Sequence, residues 1–196
     1  VIWAFKQLWD KGLIYRANRV MPYSWGAETP LSNFEIRLDD ATRPRQDPAL
    51  TIAFTLDDGT QLLAWTTTPW TLPSNLALAV GPAISYTQVR AEGQSADWIL
   101  GTDALDRYSR ELGEYTIIRE MTGSDLVGRT YKPILPYFAD HPDSFRVLSA
   151  AFVETGDGTG VVHMAPGFGE DDQTVSEANG ITMVVPVDDE GKFTDE

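Results

Sequence analysis

Cysteine is absent from these 196 residues, which excludes a disulfide framework and thiolate metal sites and fits a cytoplasmic protein without requiring one. Histidine occurs only at His141 and His163, too sparsely for the paired spacing of a zinc site. The acidic runs 170–172 and 188–190 lack the spacing of a calcium loop, so no metal and no other cofactor is expected. Long apolar runs are missing too. The longest candidate, 147–153, contains Ser149 and falls far short of the ~18 residues of a membrane span. The first charge, Lys6, follows the leading apolar residues, the reverse of a signal peptide, and the sequence reads as an excised fragment. There is no Gly-Lys phosphate cradle, no Ser-His-Asp order with a nucleophile elbow, and no internal repeat.

Positive charge is also scarce. Lys and Arg number 15 against 29 acids, a net charge of −14, and an acidic body repels phosphate. This argues against a free-standing nucleic-acid binder. The imbalance is uneven: residues 1–46 hold seven basic and five acidic side chains, +2, so the remainder carries −16. A fragment that meets only the end of a nucleic acid, while a larger parent grips the rest, tolerates such a charge.

What is present is an ordinary globular composition, 42% hydrophobic, in a chain long enough for one large domain or one domain with a stalk. Ile2, Phe5, Leu8 and Trp9 recur at near-helical spacing before Gly12 and predict a short helix over 1–10. Residues 37–48, polar and bearing Pro44 and Pro48, read as a surface loop. Strands are expected at 49–56 and 61–66 around the turn Asp57-Asp58-Gly59-Thr60, then at 76–80, 85–90, 98–100, 115–119, 133–138, 147–153 and 182–187. Helices are expected over 102–112, with Thr102 as N-cap, and about 171–178. Many short strands with few helices, and no βαβ alternation, predict a mainly β fold with peripheral α-helices, built on a small closed β-barrel of about six strands, because closure removes exposed edges.

The chain departs from generic fold at Trp65-Thr66-Thr67-Thr68-Pro69-Trp70-Thr71-Leu72-Pro73-Ser74-Asn75. Strand alternation would point Thr66 and Thr68 one way and Thr67 the other. Pro69 lacks an N–H and biases Thr68 toward extended geometry, so sheet pairing should end there and leave hydroxyls and peptide N–H groups facing a cleft. A Thr-rich edge strand closed by a Pro-Trp turn is the plain alternative. A second stretch, Gly158-Thr159-Gly160-Val161-Val162-His163-Met164-Ala165-Pro166-Gly167-Phe168-Gly169-Glu170-Asp171-Asp172, combines a Gly-rich turn, a short apolar strand, one His, a Pro-Gly corner and acids at a helix start.

Together the two stretches resemble the editing domain of isoleucyl-tRNA synthetase, a connective insertion in a class I aminoacyl-tRNA synthetase, with its W-T-T-T-P-W-T-L-P-x-N peptide and distal G-T-G-x-V-H-x-A-P-x-x-G-x-x-D. The sister valyl and leucyl domains carry an Arg after the threonines, and the valyl one a Lys where His163 stands. Phe5-Lys6-Gln7-Leu8, the stretches 19–24 and 29–35, Gly123-Ser124-Asp125-Leu126-Val127-Gly128 and Pro136-Tyr137-Phe138 also fit, so nearly the whole chain is covered. The resemblance implies a six-stranded barrel of the valyl/isoleucyl/leucyl editing type. It divides the chain into a connecting segment, 1–35, from a catalytic body, and an editing domain, 36–196. A cysteine knuckle that some relatives carry near that segment is replaced by Ser24 and Gly26, so no zinc is expected. Neither His-Ile-Gly-His nor Lys-Met-Ser-Lys-Ser occurs, so amino-acid activation is not expected either.

The implied activity is metal-free hydrolysis of mischarged valyl-tRNA(Ile) after transfer. The partners are a tRNA acceptor end and the catalytic body, the location is the cytoplasm and the state a monomer. Such an ester presents an α-ammonium, a carbonyl that becomes an oxyanion, a short aliphatic side chain and a nucleoside. By the same resemblance Thr66, Thr67, Thr68 and Asp172 are catalytic, and Trp65, Trp70, Asn75, Gly160 and His163 bind substrate. Asp172 is either the anion for the ammonium or a helix cap. His163 is either a steric wall, a structural imidazole or a general base. Trp65 and Trp70 either stack on the terminal adenine or fill the barrel mouth. A non-catalytic module that docks the tRNA end is the competing function, and a valyl-type editor clearing threonine the third.

Overall fold

A computed structural model of the chain describes residues 1–195. Helix α1, Ile2–Asp10, forms where the apolar spacing predicts, and Gly12 closes it at φ +67°, donating its N–H to Trp9 O at 2.9 Å. None of its residues is buried. Phe5 and Trp9 stack on each other, with ring centroids 6.4 Å apart, and both remain more than half exposed. A two-residue ribbon follows, β1 (Tyr23–Ser24) against β2 (Thr29–Pro30), and then the exposed polar stretch 37–48.

The body begins with a hairpin. Strands β3 (Leu50–Thr55) and β4 (Gln61–Thr66) pair antiparallel with Leu50 opposite Thr66. The Asp57–Thr60 turn is tied by Leu56 N–H to Thr60 O at 2.8 Å, with Gly59 at φ +87°. Next come β5 (Ala77–Val80), β6 (Ser85–Ala91), β7 (Trp98–Gly101), α2 (Ser109–Leu112), β8 (Tyr115–Thr122), β9 (Arg146–Ser149), β10 (Val161–Met164) and α3 (Glu170–Ala178). They build a five-stranded sheet, β3-β4-β7-β6-β8, and a three-stranded sheet, β10-β5-β9. The pairs β4/β7 and β5/β9 are parallel.

The main core lies between the sheets, with Phe54, Leu62, Leu78, Tyr86, Ile99 and Met164 fully buried. A smaller cluster of Leu63, Val89, Leu100, Leu105 and Leu112 covers the other face of the large sheet. Leu62 and Leu63, neighbours in β4, go to different clusters, as do Ile99 and Leu100 in β7. Successive strand side chains point to opposite faces, so both faces of this sheet are apolar where covered. Each fully buried Leu, Ile or Phe stabilises by about 1.5–3 kcal/mol relative to exposure.

The expected closed barrel does not form; both sheets are open, and β3 and β8 remain edges of the large one. The reason lies in the prolines. The strand expected over 133–138 is irregular, since Pro133 and Pro136 offer no ladder donors. The strand expected over 182–187, which contains Pro186, is reduced to a single bridge, Val187 to Phe193. Isolated bridges, Leu56 to Tyr131 and Thr130 to Arg146, and single backbone bonds such as Gly101 N–H to Thr159 O at 2.7 Å reach toward closure without completing a ladder. The helix expected over 102–112 is also broken into a 3-10 turn at Thr102–Ala104 and the four-residue α2. Thr102 caps neither, because its hydroxyl bonds Thr87 at 2.8 Å instead.

Candidate active site

At the end of β4 the chain leaves the large sheet. Pro69 opens a 3-10 turn, Pro69–Ser74, with Pro73 inside it, and the chain then enters the small sheet as β5. Thr66 is buried, while Thr67 and Thr68 are exposed. Thr66 Oγ1 accepts the N–H of Thr68 at 3.1 Å and lies 3.4 Å from Thr68 Oγ1. The first and third hydroxyls therefore share a side, as alternation predicts.

Strand β10 pairs with β5 and sets His163 opposite Leu78. His163 is 6% exposed, and both ring nitrogens are engaged: Nε2 lies 2.7 Å from Thr71 Oγ1, and Nδ1 lies 3.1 Å from Asn75 Nδ2. Thr71 donates its hydroxyl to the Thr68 carbonyl at 2.8 Å, so toward His163 it accepts. Asn75 Nδ2, which also donates to Ala77 O at 2.9 Å, donates to Nδ1. The imidazole is thus the neutral Nε2–H tautomer, and burial lowers its pKa to about 4. Beyond Asn75, Tyr131 donates its hydroxyl to Oδ1 at 2.7 Å. Neither Thr71 nor Tyr131 stood among the candidates read from sequence. Thr71 lies inside the motif and was findable; Tyr131 lies 56 residues beyond Asn75 in a stretch without a motif.

Asp172 sits in the first turn of α3 but caps nothing. The N-cap is Gly169, without a side-chain cap bond. The carboxylate instead accepts the N–H of Ala165 through Oδ2 at 2.8 Å, folding the helix start back onto the exit of β10. Burial raises its pKa, the Ala165 hydrogen bond opposes this, and Asp171 adds to the rise. Among the described residues its second oxygen has no partner, so it can receive a cation or a proton donor.

The two motifs and the residues beside them meet at further points. Trp70 packs edge-on against Phe168, centroids 5.2 Å apart, and Leu76 N–H bonds Met164 O at 3.0 Å. Trp65 is half-buried and packs under Gly158, where a Cβ would stand 2.7 Å from the indole. Gly160 is not brought to the same place: it precedes β10, at φ +72°, and its carbonyl accepts from Tyr86 at 2.6 Å. A cleft of about 620 Å³ adjoins the site, its lining including Trp70, Gly167 and Phe168 from the two motifs and Val20, Met21 and Trp25 from the N-terminal segment. The threonines, His163 and Asp172 lie outside its lining.

The sequence profile of a family described as "tRNA synthetases class I (I, L, M and V)" matches residues 1–165. An isoleucine–tRNA ligase of Corynebacterium diphtheriae is 52% identical over 213 residues, covering 99% of this chain and 20% of that protein. One from Mycobacterium tuberculosis is 53% identical over 203 residues, covering 98% and 19%. The chain spans about a fifth of the length of these curated relatives. A crystal structure of GlLeuRS-CP1 is similar with a TM-score of 0.53 and 24% identity, over 65% of this chain and 56% of that one. The editing domain of a P. knowlesi cytosolic leucyl-tRNA synthetase is similar with a TM-score of 0.52 and 14% identity, over 60% and 56%. At these identities the likeness is one of fold. With the threonine peptide and the His163–Asp172 stretch joined by hydrogen bonds at one end of the small sheet, the chain belongs to the class I tRNA synthetases, as a region of the isoleucine–tRNA ligase kind with the fold of an editing domain.

Proposed function

We propose that this chain is a post-transfer editing hydrolase that deacylates valyl-tRNA(Ile). The observation that carries the proposal is the convergence of two distant motifs: Thr71 meets His163 at 2.7 Å, while Asp172, nine residues further on, is pinned to Ala165 at 2.8 Å. Asp172 receives the α-ammonium of the aminoacyl ester on its open oxygen. The hydroxyls of Thr67 and Thr68 and neighbouring N–H groups stand by the carbonyl and the attacking water, stabilising the oxyanion as it forms. Thr66 supports them through its bond to Thr68 N–H. His163 is the wall against the substrate side chain. Its Nδ1 already accepts from Asn75 and its pKa is lowered to about 4 by burial, so the ring lacks a free basic nitrogen and favours the steric role over the general base. An apolar pocket alone would prefer isoleucine, since one methylene is worth about 1–3 kcal/mol, a range that isoleucyl-tRNA synthetase itself helped to define. Rejection of the larger residue therefore needs a stiff obstacle.

Residues 1–35 serve in this reading as the connecting segment to a catalytic body. The uncovered Trp3, Phe5 and Trp9 of α1, 75%, 54% and 53% exposed, are the side chains that body would cover. It would also grip most of the tRNA, which the −14 charge of this chain disfavours. The test is the lifetime of valyl-tRNA(Ile) in excess of this chain, with isoleucyl-tRNA(Ile) as control. Selective shortening of the valyl ester is expected. A lifetime equal to that in buffer, with binding retained, would make the chain a docking module.

A further inference from the structure

We infer that Tyr131 is a positioning residue for this site, holding the tautomer and orientation of His163 through Asn75; its consequence for selectivity rests on the editing reading. Four hydrogen bonds run in one direction. Tyr131 O–H donates to Asn75 Oδ1 at 2.7 Å, Asn75 Nδ2–H to His163 Nδ1 at 3.1 Å, His163 Nε2–H to Thr71 Oγ1 at 2.7 Å, and Thr71 O–H to the Thr68 carbonyl at 2.8 Å.

No link can reverse alone. A flipped Asn75 amide would turn its oxygen toward the carbonyls of Ala77 and Met164, now 2.9 and 3.5 Å from Nδ2. An Nδ1–H tautomer would place two donors face to face. The far end of the chain is anchored well. The Tyr131 ring is 5% exposed and packs edge-on between Phe54 and Phe145, centroids 5.3 and 5.9 Å away. Its N–H bonds Phe145 O at 2.9 Å. A clamped phenol thus sets the amide, the amide sets the imidazole, and the imidazole sets the hydroxyl that holds the carbonyl just before Pro69. Buried polar groups linked in this way are strengthened by the low local dielectric and are costly when one member is lost.

The experiment is Tyr131→Phe, which keeps the ring and removes the hydroxyl. Two readouts are taken: the tautomer of His163 by nitrogen-15 NMR of the chain alone, and the ratio of valyl to isoleucyl ester hydrolysis. In wild type a single Nε2–H tautomer is expected; in the variant, a mixture of tautomers and a several-fold fall in the ratio. An Nδ1–H tautomer in wild type overturns the inference without recourse to the variant. So does an unmoved tautomer in the variant, or a moved tautomer with an unchanged ratio. If wild type hydrolyses neither ester, the editing reading fails, and the tautomer readout alone decides whether Tyr131 positions the ring.

Discussion

His163 and Asp172 flank one corner of the chain, nine residues apart, and both are drawn out of water, yet they use their hydrogen-bonding capacity in opposite ways. His163 spends both ring nitrogens on protein partners. Asp172 spends one oxygen on Ala165 and leaves the other open. A side chain with nothing left to bond offers a ligand its shape; one with spare capacity offers its charge. Burial shifts both, and in each case against the charged form: His163 down to about 4 and Asp172 up. The imidazole answers by staying neutral. The carboxylate, under the editing proposal, would gain from a substrate ammonium a partner that offsets its desolvation.

The largest expected effect follows from that open oxygen. Losing one partner of a buried charged pair costs about 2–5 kcal/mol, so Asp172→Asn should slow valyl ester hydrolysis by roughly 30-fold to several thousand-fold. The same change should hardly alter the melting temperature, because an amide oxygen still accepts from Ala165, and removing a desolvated charge relieves the fold. Rates at saturating enzyme, read beside the melting curve, check this. An early-melting variant with normal hydrolysis would make Asp172 a structural residue and collapse the contrast with His163.

Next in size is a pH effect that belongs to His163. Its folded pKa of about 4 lies below its unfolded value of 6.5, so between them the unfolded chain binds more protons, and stability rises with pH. It is complete above 6.5 and lost as pH falls toward 4, by roughly 2 kcal/mol at pH 5. Asp172 runs the other way: its folded pKa is raised above 3.8, so its contribution is present below 3.8 and lost as pH rises. Asp58 titrates lower still. Burial pushes it up, but hydrogen bonds from Thr60 and the Arg129 ion pair hold it at about 2. Urea unfolding at pH 7 and pH 5 should therefore show a loss that persists in His141→Asn and shrinks in His163→Gln. An undiminished loss in His163→Gln would remove the imidazole as its source.

Much of this contrast was legible in the sequence. Gln61–Thr66 is a strand with the expected limits, pairing stops three residues before Pro69, which opens the 3-10 turn, and the acids after Pro166 do open a helix. Local chemistry decided these: a proline without a donor, a turn of two acids and a glycine, a strand period of two. Closure was not local. It fails because the prolines at 133 and 136 act as loop residues while their neighbours keep the alternation of a strand, and the pattern weighed the neighbours. Tyr131 was invisible for a related reason. A tyrosine between Thr130 and Lys132 carries no motif, and it is brought to Asn75 by distant chain: its N–H bonds Phe145 O, and Phe145 N–H bonds Leu76 O beside Asn75. His163 could be read as wall, base or core residue; the direction of its two hydrogen bonds, which weighs against the base, is not written in the sequence.

The smallest effect tests how finely Asp172 is placed. Gly169, the N-cap of α3, has φ −136° and ψ 134°, extended backbone that alanine adopts freely. A Cβ there would stand 3.0 Å from Asp172 Cγ and 3.1 Å from Oδ2, the oxygen that accepts from Ala165. The carboxylate would have to give by a few tenths of an ångström. Stability should barely change, since an alanine N-cap costs under about 1 kcal/mol relative to glycine and the stiffer unfolded chain returns about 0.4–1 kcal/mol. Hydrolysis should fall roughly three- to tenfold, a loss of about 1 kcal/mol of transition-state binding. If the alanine acts only by displacing Asp172, it should have little to remove once the charge is gone: Gly169→Ala added to Asp172→Asn should slow the reaction no further. A full three- to tenfold loss in that background as well would place the effect elsewhere in the corner and show that the position of the carboxylate is less critical than its charge.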